Sequence, residues 1–148
     1  LRGGLQEKRA IATPPFRTRR VQLLTIHVPV AADTLRALAA GDGDAVEREP
    51  ALSAILAIVR EANPLGDFGA YSGVVELGLG WELFTPAANA RPTLGAAEVE
   101  TRSPTVVLRV HLDSEDGQAA AESIARILAA HPWEIPVIER ISVELLMR

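Results

Sequence analysis

There is no cysteine among the 148 residues. That removes disulfides, thiolate nucleophiles and Cys-type zinc sites together, and it leaves three histidines and the carboxylates as candidate metal ligands. Also missing is any apolar run near the roughly 20 residues that span a bilayer, so no membrane partner is expected. No signal-peptide hydrophobic segment opens the chain, which points to the cytoplasm, and the start at Leu1 in place of Met leaves room for residues upstream. Enzyme signatures are equally scarce. No Ser-His-Asp spacing is discernible, Gly78-Leu79-Gly80 lacks the following glycine and helix of a dinucleotide loop, and no Gly-x-x-x-x-Gly-Lys-Ser/Thr phosphate loop occurs. No internal repeat or low-complexity tract is present either. These absences favour a protein that is not an enzyme.

What is present suits one compact domain with an appendage. Hydrophobic residues make up 48% of the chain, enough for a single substantial core. Residues 1–20 carry Arg2, Lys8, Arg9, Arg17, Arg19 and Arg20 against Glu7 alone, whereas the remainder is acidic. This basic stretch, with Gly3-Gly4 and Pro14-Pro15, reads as a flexible N-terminal arm ahead of a single domain over 21–148. Its basic residues do not alternate with aromatic ones and no recognition-helix pattern follows, so no nucleic-acid partner is expected.

Periodicity orders the elements. Val21 to Val30 alternates as a strand, with Gln22, Leu24, Ile26 and Val28 on one face and Leu23, Thr25, His27 and Pro29 on the other. Asp33 can cap a helix through Leu35 and Leu38, Gly41-Asp42-Gly43 interrupts it, and Pro50 opens a second piece carrying Leu52, Ile55, Leu56 and Val59. Tyr71 to Leu77 and Gly80 to Phe84 read as strand and hairpin material, followed by an ordered Pro/Gly loop over Asn89 to Gly95. Thr105 to Leu112 is a strand, Ala119 to Ala130 a helix with Ile124, Ile127 and Leu128 on its apolar face, and Ile135 to Leu146 a strand with a bend or bulge after Glu139. The order is βαββαβ, an α+β ferredoxin-like sandwich with helices on one face of an antiparallel sheet. The open face would then present Thr25, His27, Arg109, His111 and Asp113.

The run His131-Pro132-Trp133-Glu134-Ile135-Pro136 resembles the His-Pro-Tyr/Trp-Glu-x-Pro signature of the CutA-like divalent-cation-tolerance proteins. It equally resembles that of the inserted domain in the dinuclear-metal-centre hexameric proteins related to the NGG-one-interacting factors. Phe84-x-Pro86 and Ala90-x-Pro92-x-x-Gly95, preceded by Gly80, follow the inserted domain's pattern more closely, and the resemblance spans roughly residues 64–144. Glu82 stands where that pattern has a second glycine, Arg91 where it has Asn, and Leu65-Gly66-Asp67-Phe68 where it reads Ile-Gly-Asn/Asp-Tyr. The resemblance implies a PII/CutA-like fold, with the first and third long strands central, and a homo-oligomer, best a trimer. It carries no reaction, because the metal-holding motifs of the dinuclear proteins lie in their flanking domains.

Candidate site residues follow from chemistry and placement. His131 and Glu134 sit where a helix end meets a strand and suit a cation, although a fastening role through the helix dipole and local hydrogen bonds is favoured over chemistry. His27 and His111, one on each central strand and on one expected face, form a second candidate metal pair, against an interface hydrogen-bonding role. A divalent metal ion is the one cofactor these residues leave open. Arg91 offers a fork for an anionic ligand and Trp133 an amphipathic plate for recognition or packing. Three functions stand: a non-catalytic PII/CutA-like oligomer that binds a metal ion or small ligand at subunit clefts, a structural or protein-interaction module without a small-molecule ligand, and an unrecognised metal-dependent hydrolase. In the first, the Gly80 to Gly95 segment of one subunit would face the His131 to Glu134 turn of another.

Overall fold

The computed structural model describes residues 12–113 and 117–148. Alternation of apolar and polar side chains builds four strands, β1 (Arg17–Pro29), β2 (Glu76–Phe84), β3 (Thr101–Asp113) and β4 (Ile138–Met147). They form one antiparallel sheet in the order β2-β3-β1-β4, with β1 and β3 central as expected. Three helices, α1 (Ala32–Ala39), α2 (Pro50–Arg60) and α3 (Gly117–Ala130), complete the α+β sandwich, and a 3-10 turn over Gly43–Arg48 joins the first two. Leu24, Ile26 and Val28 of β1 and Val106, Leu108 and Val110 of β3 meet Leu52, Ile55, Leu56 and Val59 of α2 and Ile127 of α3 in a buried core. Burying such aliphatic side chains contributes about 1.5–3 kcal/mol each relative to leaving them exposed, so this cluster holds the helices to the sheet.

The break between the first two helices is built in locally. Pro50 opens α2 at a position where its missing N–H costs nothing. Asp33 does not cap α1 but lies in its first turn; Glu49 does the fastening, its Oε1 accepting from Ala31 N and Thr34 Oγ1, both at 2.6 Å. The arm expected over 1–20 differs at its inner end, because Arg17 to Arg20 belong to β1 and pair with Glu144 to Met147. Arg19 bonds Asp113 at 2.8 Å, and the remainder of the arm as far as residue 11 lies outside the described residues.

Three further expectations differ. The segment before β2 is no hairpin: Tyr71 to Val75 stays outside the strand, since Gly73 turns the chain at φ 61. Gly66, at φ 66, donates its N–H to His111 O at 2.7 Å and accepts from Val74 N at 3.0 Å. No bulge follows Glu139, where β4 keeps an unbroken register with β1 from Ile138 to Met147. Leu128 is 48% exposed, because α3 seats itself on Ala120, Ser123 and Ile127 instead.

One side of the edge strand is left uncovered. On the helix side of β2, Leu77, Leu79, Trp81 and Leu83 stand in a row, each more than two-fifths exposed. On the open face the register sets Thr25 beside Arg109 and Leu23 beside His111 and Ile141, while Phe68 from the α2–β2 loop packs edge-on against the His111 ring at 5.9 Å.

Candidate functional site

At one end of the open face the sheet is roofed. Two segments flank it, the loop between β2 and β3 and the turn between α3 and β4, and they border an open cavity of about 560 Å³. The first is stiffened by Glu98, which takes φ 62 while its N–H donates to Pro86 O at 2.7 Å. A non-glycine residue there stores backbone strain that the surrounding bonds must hold. The second begins where α3 stops at Ala130, ahead of Pro132 and Pro136. Thr93 Oγ1 donates to Pro132 O at 3.1 Å and ties the segments together. The rings of Phe84 and Trp133 meet edge to face at 5.2 Å and form an aromatic wall, continued by Pro86, Pro92 and Leu94 on one side and Ile135 and Val137 on the other. Both segments come from the same chain, where the sequence reading had placed them on different subunits.

His131 holds this roof. It is buried, with 7% of its surface exposed, and both ring nitrogens are engaged: Nδ1 accepts from Trp133 N at 3.1 Å, which makes Nε2 the proton-bearing nitrogen toward His27 O at 2.6 Å. A doubly protonated ring would leave the Trp133 N–H without its acceptor, so the arrangement does not match a cation at the helix end. The geometry is that of a fastener.

The floor carries the polar groups. His27 on β1 and Glu82 on β2 reach toward one another across β3, above Thr105 and beside Gly80, where a side chain would meet open space. Nδ1 of His27 lies 2.8 Å from Glu82 Oε1. The approach is close in distance but misses hydrogen-bond alignment, so Oε1, enclosed from solvent, has no aligned donor among the described residues. The adjacent hydroxyls give no help, since Thr105 Oγ1 donates to Ser103 O and Ser103 Oγ to Pro104 O. Arg91 and Glu134 line the cavity from its exposed rim, and among the described residues neither has an ion-pair partner.

The structure therefore gathers Arg91, Trp133, Glu134 and His27 around one cavity and leaves His111 out. His27 faces Val107 while His111 faces Leu23, four positions away along the strand, about 13 Å at the usual rise. No group of three or more His, Cys, Asp or Glu that could hold a metal ion is found among the described residues. Glu82 was missed as a site residue. Its signal was present in the sequence, as the position where the chain departs from the glycine of the pattern it resembles.

No family model matches the chain, and no curated protein matches it. Among solved structures it is similar to the crystal structure of a Bacillus cereus protein related to NIF3, with 14% identity, over 91% of this chain and 28% of that chain, at a TM-score of 0.54. This chain thus corresponds to well under half of that protein's length. At such identity the likeness shows the fold alone: the α+β sandwich described here is one that a NIF3-related protein also contains.

Proposed function

We propose that this chain is a non-catalytic CutA/PII-like module that holds a small organic ligand in the cavity between the β2–β3 loop and the α3–β4 turn. The observation that carries this reading is the cavity itself, with walls of Trp133, Phe84, Pro86 and Pro92 and a floor of His27 and Glu82. Apolar concavities of this size with a few convergent polar groups are the usual form of small-molecule sites. A metal ion held by His131 and Glu134, or by His27 and His111, has less support. The nitrogens of His131 are engaged, and the two strand histidines stand apart. The module corresponds to the inserted domain of the dinuclear-metal-centre proteins and assembles as a homotrimer through the open sheet face around Thr25 and Arg109. The apolar β4 side chains Ile141, Val143, Leu145 and Met147, all on that face by register, support burial there.

The test is thermal melting across a panel of divalent cations, nucleotides, carboxylates and aromatic amines, since a ligand that binds only the native state must raise its stability. At least one organic compound should raise Tm in the wild type and fail to do so in Trp133→Ala. A flat response across the panel would sink the reading. The uncovered row Leu77, Leu79, Trp81 and Leu83 favours a second reading, a protein-interaction module that docks through its edge strand.

A further inference from the structure

We propose that the ligand of the cavity is a small organic cation, a flat apolar body ending in a protonated amine or amidine that meets the carboxylate of Glu82. This rests on the cavity being the binding site and adds the chemistry of what fills it.

The floor states the need. Glu82 Oε1 is enclosed from solvent with His27 Nδ1 beside it at 2.8 Å but out of hydrogen-bond alignment. A buried carboxylate oxygen without aligned donors is costly to maintain. Beyond His27 no nearby hydroxyl or imidazole among the described residues relieves it, because Ser103 and Thr105 donate to backbone carbonyls and His131 is engaged at both nitrogens. The Glu82 side chain is still 17% exposed, and with Oε1 enclosed that exposure belongs to its other atoms. A charged nitrogen entering the cavity would meet that exposed part of a carboxylate already seated beside His27, where a charge-assisted hydrogen bond can form.

Charge and shape point the same way. Two carboxylates, Glu82 and Glu134, line the cavity together with His27 beside Glu82 and the guanidinium of Arg91, which stands at the exposed rim. An anion finds its counter-charge at the rim, on Arg91, and meets Glu82 beyond it, whereas a cation finds its counter-charge at the floor. The Trp133 and Phe84 rings, 5.2 Å apart and inclined at 65°, give an aromatic wall, which accepts a flat body by stacking or edge contact and attracts a cation through the ring quadrupole.

The experiment is calorimetry with three probes that share one body: naphthylmethylamine, naphthylmethanol and naphthoate. Wild-type protein should bind the amine about tenfold more tightly than the alcohol, as one charge-assisted bond predicts, and the carboxylate most weakly. The preference should collapse in Glu82→Gln and persist in Glu144→Gln, an exposed carboxylate on β4 away from the cavity. A naphthoate that binds as tightly as the amine overturns the proposal, and so does an amine preference that survives Glu82→Gln. Equal binding of amine and alcohol, lost in Trp133→Ala, overturns the ligand class and leaves the cavity as a binding site; no heat from any probe removes both. Melting curves verify that Glu82→Gln is folded, and if it is not, the wild-type ranking of the three probes decides.

Discussion

The carbonyl of His27 accepts a hydrogen bond from Nε2 of His131 at 2.6 Å, across 104 positions of sequence. The residue whose side chain floors the cavity is thus pinned through its backbone by the turn that roofs it. The bond also fixes Trp133, because the other ring nitrogen of His131 accepts the Trp133 N–H.

Removing that fastener should be costly. His131→Ala leaves the His27 carbonyl and the Trp133 N–H without partners in a buried place, and a loss of about 2–4 kcal/mol is expected from the two unsatisfied groups and the lost packing. Urea denaturation measures it. A change below about 0.5 kcal/mol, the range of ordinary surface substitutions, would show that the turn holds without the imidazole.

Trp133→Ala should destabilise by about 1–3 kcal/mol, less than a fully buried indole, because the ring is half-buried with one edge against Phe84. Trp133→Phe should recover much of that loss. Equal stability of the Ala variant and the wild type, read by the same denaturation, would mean that the ring serves the cavity and not the fold.

Gly66→Ala should lose about 2–3 kcal/mol, since a left-handed residue is strained by any side chain and here the new Cβ would collide with the Val74 backbone. Gly41→Ala is the comparison. It shares a positive φ, 94, with open space around it, so the difference between the two variants isolates the collision from the backbone strain. Equal losses would refute the close approach.

Glu61, just past α2, is paired with Arg126 of α3, and the hydrogen bond from that guanidinium lowers the Glu61 pKa below its ordinary value of 4.5. A carboxylate whose folded pKa is depressed contributes stability above the unfolded value and loses it as pH falls through the folded one. Glu61→Gln should therefore flatten the acid limb of the Tm-versus-pH curve below about pH 4.5. The pair is exposed, so the effect should be small and should shrink further in added salt. An unchanged acid limb at low salt would show that the pair does not link the helices.

Leu79→Lys separates the two functional readings. Leu79 is 45% exposed on the edge strand, so the isolated fold should shift by no more than about 0.5 kcal/mol. Small-ligand binding should persist if the cavity is the site. Light scattering at micromolar concentration bears on assembly: a trimer through the open face should keep its mass in Leu79→Lys and lose it in Arg109→Glu, and a wild-type mass of 15.8 kDa would rule the trimer out.

Much of the fold was legible because alternation is a strong signal where a strand has one buried face. Alternation put Leu24, Ile26 and Val28 on one face of β1, and these three and their partners Val106, Leu108 and Val110 are all buried. Legibility failed where glycine set the path: Tyr71 and Val75 have strand-forming side chains, yet Gly66 and Gly73 turn the backbone before β2 begins. The site was half readable. Arg91 and Trp133 came from a turn-rich pattern, but the meeting of His27 with Glu82 depends on which strands neighbour β3 and on small residues between them, and no spacing along one strand encodes that.

The bond between His131 and His27 also has a consequence in time. The roof of the cavity is made from a turn directly ahead of the last strand, and β4 reaches β1 only by closing a loop of more than a hundred residues. For contacts so distant in sequence the loop entropy must be met before they give anything back. A compound that fits the cavity would gain its contacts only once that loop is closed, so it should slow unfolding far more than it speeds folding.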